Sequence, residues 1–152
     1  MKTSGGILLY RLTDSEPEVL LIHPGGPFFK NKDTGVWSIP KGEPDGDEDL
    51  KNTAIREFKE ELGSEISGKM TALTPVTQKG GKVVSAWAIE GDLNPGTITC
   101  NTFSIEWPPK SNKIQDFPEV DKAEWFTLAV ARTKINPAQV GFIDELEGIL
   151  KA

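Results

Sequence analysis

The stretch Gly42 to Ser64, GEPDGDEDLKNTAIREFKEELGS, constrains the chain more than any other. Its first half, with Pro44, Gly46 and a run of acids, holds no regular period and reads as a loop. Its second half predicts a helix. Asp47 is the expected N-cap, with Glu48 and Asp49 in the first turn, where the helix dipole favours anions, and Gly63 is the expected stop. Leu50, Ala54, Phe58 and Leu62 recur at every fourth residue and Ile55 lies beside them, so this stripe is expected to be buried. Glu57, Glu60 and Glu61 stand at i, i+3 and i+4, which brings their carboxylates out side by side. Like charges at that spacing cost a helix roughly 0.2–0.5 kcal/mol per pair. A hard divalent cation, Mg²⁺ or Mn²⁺, would offset that cost, because it prefers oxygen ligands and tolerates shared carboxylates. The competing reading is a solvated acidic helix face.

The flanking residues weigh against that bland reading. Gly42, Glu48, Arg56, Glu57, Glu60, Glu61 and Gly63 fall on the fixed positions of G-x5-E-x7-R-E-U-x-E-E-x-G-U, where U is bulky and apolar, and Phe58 fills the first U. The stretch thus resembles the signature box of the Nudix hydrolases. Ser64, at the last U, departs from the pattern. Such a set of fixed residues coincides by chance on the order of 10⁻⁹ per start position, given average residue usage. The runs WSIPKGE and FPEVDKAEWF also resemble those of bacterial MutT-like members. The resemblance implies an α/β fold, an α/β/α sandwich with a mixed central sheet, in a single domain over residues 1–152.

Composition sets the outer limits. The net charge of −6 argues against an extended nucleic-acid partner or a membrane surface, since phosphate backbones need basic protein surface. The single cysteine, Cys100, excludes an intrachain disulfide and fits a reducing, cytoplasmic compartment. The N-terminal apolar run is too short for a secretory core, and no span approaches the ~20 apolar residues of a membrane helix.

Along the chain, Thr3 to Leu12 and Glu18 to His23 read as a hairpin of two strands. His23, the only histidine, reads as structural rather than catalytic. Pro24 to Gly35 is a long loop, and long ordered loops tend to carry function. Phe28 and Phe29, with Trp37 from a short strand over Val36 to Ile39, are candidates to line a base pocket. Lys30, Lys32 and Lys41 are candidates to meet phosphate. Glu65 to Met70, Thr71 to Thr77 and Thr97 to Glu106 read as extended segments, and Lys82 to Ile89 as a central strand. Lys110 to Asp116 reads as a loop, and Lys122 to Phe126 as a strand. Thr127 is expected to cap a short helix. Pro137 is expected to open a last helix with the stripe Val140, Ile143, Leu146, Ile149 and Leu150.

What the resemblance implies about chemistry is specific. Nudix hydrolases cleave a nucleoside diphosphate linked to another moiety, by water attack on phosphorus. Glu57, Glu60 and Glu61 would then be metal ligands, joined by the backbone carbonyl of Lys41 and by an acid from outside the box. Glu119 is the candidate for that acid, with Glu106, Asp116 and Asp121 as rivals. Glu57 or Glu119 would accept the water proton. Arg56, always charged, would hold a box carboxylate or a backbone carbonyl, and Glu48 would be a structural partner of the loop. Diadenosine polyphosphates, nucleoside triphosphates, nucleotide sugars and capped RNA ends all satisfy this chemistry. A rival of another class is a nucleotide-sensing module without turnover; such modules often lose box acids, and all of them are present here.

Overall fold

The computed structural model of the protein describes residues 2–152. Strand β1 (Thr3–Leu12) is the axis of the sheet. From Thr3 to Tyr10 it pairs, in parallel, with β6 (Val83–Glu90). Its other edge is shared: the C-terminal end pairs antiparallel with β2 (Pro17–Pro24), and Gly5 and Gly6 pair with β3 (Lys41–Gly42). The expected hairpin of β1 and β2 is present, in the register Tyr10 to Val19. Two-residue strands β4 (Thr71–Ala72) and β5 (Val76–Thr77) pair with β6, and β9 (Val120–Thr127) pairs with the outer edge of β2. The result is a mixed sheet in which β2 and β3 diverge from a common neighbour.

Each face of the sheet is covered by helix. On one face Ile7, Leu9, Leu20, Ile22 and Ile89 pack against Ala54, Phe58 and Leu62 of α1 (Leu50–Leu62). On the other Leu8, Val19, Leu21, Val84 and Ala86 pack with Leu128 and Ala131 of α2 (Leu128–Lys134) and with Phe142, Ile143 and Leu146 of α3 (Val140–Lys151). Alternation along β1 divides its side chains between these two cores, as a strand buried on both faces requires. This is the expected α/β/α sandwich.

Several elements differ from expectation. Asp49, not Asp47, caps α1, its side chain accepting from the Asn52 N–H at 2.8 Å; Glu48 is drawn away to Arg56 and Thr53, and the helix starts two residues later. Ile55 faces solvent at 39% exposure, while Thr53 and Glu61 are buried in its stead. The stripe is therefore tilted, and of its polar members Glu61 borders the cleft while Thr53 bonds Glu48. Val36 to Ile39 makes only isolated bridges, Trp37 to Ile135 and Ser38 to Ile22. Glu65 to Met70 has no regular structure, and Thr97 to Glu106 is a strand only over β7 (Thr102–Glu106). The Lys110–Asp116 loop is shorter than expected, because β8 (Ile114–Pro118) pairs with β7 in a separate hairpin. The last helix begins with a 3₁₀ turn at Pro137–Gln139, and Phe142, absent from the expected stripe, is fully buried whereas Ile149 is 39% exposed. Thr127 caps α2 as expected, accepting from Val130 N–H. The missing apolar residue at Ser64 is made good by Ile66, which packs on the α1 core.

Candidate active site

The fork between β2 and β3 forms the site. A cavity of about 170 Å³ opens there, lined by Ile22, Pro24, Ser38, Lys41, Glu61 and Glu119 among others. Helix α1 delivers Glu61 to it. Gly42 allows the close approach: a Cβ there would stand 2.0 Å from the Glu57 carboxyl carbon, so any side chain would expel the carboxylate.

Arg56 organises the cluster. Its Nε donates to Glu48 Oε2 at 3.0 Å, Nη1 to Glu57 Oε1 at 3.1 Å and to Glu60 Oε2 at 3.0 Å, and Nη2 to the Glu43 carbonyl at 2.9 Å. The expected roles of Arg56 are thus both visible, a carboxylate clamp and a carbonyl anchor. Glu48 also accepts from Thr53 Oγ1 at 2.8 Å, and these donors hold its pKa down to about 2. It serves the loop and the helix start, as expected, rather than the cavity.

Glu61 is different. It is 9% exposed, and its Oε2 has no hydrogen-bond partner. Burial first, then the neighbouring Glu57 charge, pushes its pKa up to about 9, against the pull of Lys41. Glu57 is also raised, by burial and by Glu60. Glu119 lines the same cavity as Glu61, and its charge adds to both shifts. Its rivals are engaged elsewhere: Glu106 accepts from Lys110 and Asn112 N–H, Asp116 from Ser104, and Asp121 from His23. Burial and the nearby Lys82 lower the Lys41 pKa, while Glu61, Glu43 and Glu57 hold it up.

This donor set fits a hard divalent cation. A buried carboxylate oxygen with no donor, facing two further carboxylates, is what such an ion satisfies. As the side chains stand, no three acids or histidines among the described residues enclose an ion, because Arg56 occupies Glu57 and Glu60.

The aromatic candidates divide. Trp37 is 2% exposed, edge-on to His23 and Phe126, with its Nε1–H bound to Asp33 at 2.7 Å. That burial removes it from any substrate surface, and its role is in the core. Phe28, 54% exposed, and Lys30 lie on the outer loop, away from the box, and Lys32 sits over the half-buried Phe29 ring. His23 is structural, as expected: it is buried, with Nδ1 on Asp121 at 2.8 Å and Nε2 on the Lys32 carbonyl at 2.6 Å. Sequence reasoning missed Lys82, just before β6, which approaches Glu43 at 3.9 Å with no local signal. It also missed Trp107 and Gln115 of the β7–β8 hairpin; the alternation Phe103, Ile105, Trp107 before a Lys-Ser-Asn turn was the available cue.

Comparison with known proteins agrees with this geometry. Among solved structures, a Caenorhabditis elegans Ap4A hydrolase in a binary complex superposes with a TM-score of 0.67 at 21% identity, over 97% of this chain and 98% of that one. The NUDIX domain of Shewanella oneidensis NrtR, complexed with ADP ribose, gives 0.67 at 18% identity, over 99% and 88%. A mutT/nudix family protein from Listeria innocua gives 0.63 at 12% identity, over 99% and 94%. No curated protein is significantly similar in sequence. At these identities the structural likeness speaks for the fold alone. The NUDIX domain family matches residues 3–146 directly, nearly the whole chain. On that match the chain belongs to the NUDIX domain family, the hydrolases of pyrophosphate bonds.

Proposed function

We propose that residues 1–152 form one metal-dependent pyrophosphohydrolase domain that cleaves a nucleoside diphosphate linked to a second moiety, by attack of water on phosphorus. The observation that carries this reading is Glu61, a buried carboxylate oxygen without a donor, set against Glu57 and Glu119 inside a family hydrolase box. A bound Mg²⁺ or Mn²⁺ would neutralise phosphate oxygens and lower the pKa of water there. Glu57, Glu60 and Glu61, with Glu119 and the Lys41 carbonyl, are the residues to hold it. Phosphoryl transfer needs positioning and charge neutralisation more than covalent chemistry, and these residues supply both. Arg56 holds the Glu57 and Glu60 carboxylates in place beside Glu61 on α1. Lys41, partly buried beside Glu61, offers a cation to a phosphate oxygen. Glu57 or Glu119 accepts the water proton; a raised pKa suits Glu57 to that role.

Two neighbours in fold are named for Ap4A or hold ADP ribose. Both ligands are nucleoside diphosphates extended beyond the second phosphate, which supports the same linkage here. The lone thiol of Cys100 suits the cytoplasm, and no helix among the described residues is long and apolar enough to cross a membrane. The test is a nucleotide panel with Mg²⁺ or Mn²⁺ and product analysis in ¹⁸O water, on the natural chain and on Glu60→Gln and Glu61→Gln. Turnover is expected to fall by orders of magnitude in both variants while each still melts cooperatively; undiminished turnover removes the reading. Tight nucleotide binding without product in the natural chain establishes the sensing module instead.

A further inference from the structure

A second groove runs between the Pro24–Gly35 loop and the β7–β8 hairpin. It encloses about 620 Å³, with Trp107, Gln115 and Phe117 on the hairpin side and Pro27, Lys30 and Asn31 on the loop side. It adjoins the box cavity. Pro118 borders the groove and Glu119 the cavity, and the Gly25 N–H donates to the Glu119 carbonyl at 2.9 Å between them.

Size decides what each space can take. The box cavity, about 170 Å³, is below the roughly 300–1,000 Å³ of sites that enclose a drug-sized ligand. A diphosphate at the box therefore needs further room for its nucleoside, and the groove supplies it on the Glu119 side of the cavity. The groove wall is also held in place. A Cβ on Gly25 would stand 2.0 Å from the Pro118 carbonyl oxygen, so only glycine lets the loop lie against the hairpin. His23 binds the Lys32 carbonyl and Asp121 at once, and Gly35 N–H donates to the Lys134 carbonyl at 3.0 Å. Phe28 crosses from the loop to meet Trp107 edge-on, centroids 5.4 Å apart.

We propose that this groove binds the nucleobase of the substrate. Trp107, half-buried, offers a ring face for stacking. Gln115 donates one amide N–H to the Trp107 carbonyl at 2.6 Å, which fixes the side chain and leaves its oxygen for a base edge. Asn31 offers a second amide, and Lys30 a cation for the adjoining phosphate. The placement of the diphosphate rests on the pyrophosphohydrolase reading; the groove itself does not.

The test is metal-free. Adenosine 5′-monophosphate, adenosine and ribose 5-phosphate are titrated in EDTA, each against the natural chain and three variants. The natural chain is expected to bind the monophosphate more tightly than ribose 5-phosphate. Trp107→Ala weakens the monophosphate by roughly 10-fold or more, as loss of a base stack does. Trp107→Phe holds it within about 3-fold, since an aromatic face remains. Lys30→Glu, on the opposite wall and independent of hairpin folding, weakens the monophosphate but not adenosine. Failure of the natural chain to bind the monophosphate, equal affinity for ribose 5-phosphate, or unchanged affinity in both Trp107→Ala and Lys30→Glu overturns the assignment. Monophosphate binding as described with no cleavage of any nucleotide under Mg²⁺ or Mn²⁺ sinks the hydrolase reading and leaves the groove. Cleavage by Trp107→Ala of base-containing and base-free diphosphates in the natural ratio does the reverse.

Discussion

Helices α1 and α3 cover opposite faces of one sheet, and both are amphipathic, yet they bury different things. α3 buries Phe142, Ile143 and Leu146 and leaves its acids at the surface, where Arg132 meets Asp144 and Glu147 and the Thr74 N–H meets Glu145. α1 buries Ala54, Phe58 and Leu62, and with them Glu61, whose Oε2 finds no donor. A helix that only closes a core has no reason to keep an unpaired acid inside, because burying it costs stability. One that must present that acid to a ligand does, and perturbed carboxylates gather at such places. α3 is thus built for the fold and α1 for the site.

Exchanging the kinds of damage breaks this contrast most directly. Glu61→Gln removes charge that a metal-assisted phosphoryl transfer uses for several kcal/mol of transition-state stabilisation, so turnover is expected to fall roughly 10³–10⁵-fold. The metal-free variant is expected to melt no lower than the natural chain, since it replaces a buried acid that folding must hold protonated and whose Oε2 makes no hydrogen bond. Phe142→Ala should do the opposite. It empties a fully buried site and is expected to cost about 3–5 kcal/mol, while the protein that remains folded keeps its turnover number. Thermal melts and steady-state kinetics on the two variants check both halves. A Glu61→Gln protein that turns over normally but melts far lower would erase the distinction.

The contrast also has a pH signature. Glu61 is held near 9 when folded against 4.5 in an ordinary setting, so over that interval the folded chain keeps a proton that the unfolded chain has released. The folded state then binds more protons, and stability falls as pH rises. Each pH unit in the window costs up to about 1.4 kcal/mol, and Glu57, raised by burial, acts in the same sense. Glu48, lowered to about 2, works on the acid side: its stabilisation is present above 4.5 and is lost as pH falls toward 2. The metal-free protein is therefore expected to be most stable near mildly acidic pH and to lose stability between about pH 5 and pH 8. Denaturant melts across that range check this. Saturating Mn²⁺, which requires the ionised carboxylates and releases their protons, is expected to flatten or reverse the slope. Glu61→Gln is expected to flatten it without metal.

Arg56→Lys sharpens the comparison within α1. The guanidinium reaches Glu48, Glu57, Glu60 and the Glu43 carbonyl together, and a lysine ammonium cannot span that fork. Loss of a residue that orients metal ligands typically costs about 10–100-fold in metal affinity or activity. Manganese titration of the variant is expected to show weaker binding in that range with the sheet intact by circular dichroism.

How much of this could be read from the residues alone follows the same division. The α1 stripe, the β1–β2 hairpin, the Thr127 cap and the box acids are local: spacing along the chain sets them, and spacing is visible. Glu61 could be placed among the acids, but not singled out as the buried one. That depends on a tilt of α1 which exposes Ile55 and is set by contact with β1 and β3. Trp37 was misplaced for a similar reason. An aromatic beside a functional loop looks available, and only the packing of Phe126, His23 and Asp33 around it shows that it is not. Glu119 came from a resemblance; it lines the cavity beside Glu61, while its rivals are tied down elsewhere. The β7–β8 hairpin was half lost to a polar loop, since Ile114–Pro118 gains its strand character from pairing with β7 rather than from its own pattern.

The smallest expected effect lies on α3. Arg132 donates to Asp144 at 2.8 Å and to Glu147 at 2.8 Å, a geometry at least as short as that of Arg56 with the box acids. Distance alone would rank the two arginines as equals. Environment separates them: Asp144 is 59% exposed and Glu147 37%, so water already solvates these carboxylates and screens their attraction to Arg132. Exposed pairs of this kind contribute about 0.2–1 kcal/mol. Arg132→Ala is therefore expected to shift the denaturant midpoint barely and more so at low salt, with turnover and manganese affinity unchanged. A loss of activity in that variant would mean that α3 reaches the site after all, through Leu128 and β9 to Glu119, and the division between a helix for the fold and a helix for the chemistry would have to be given up.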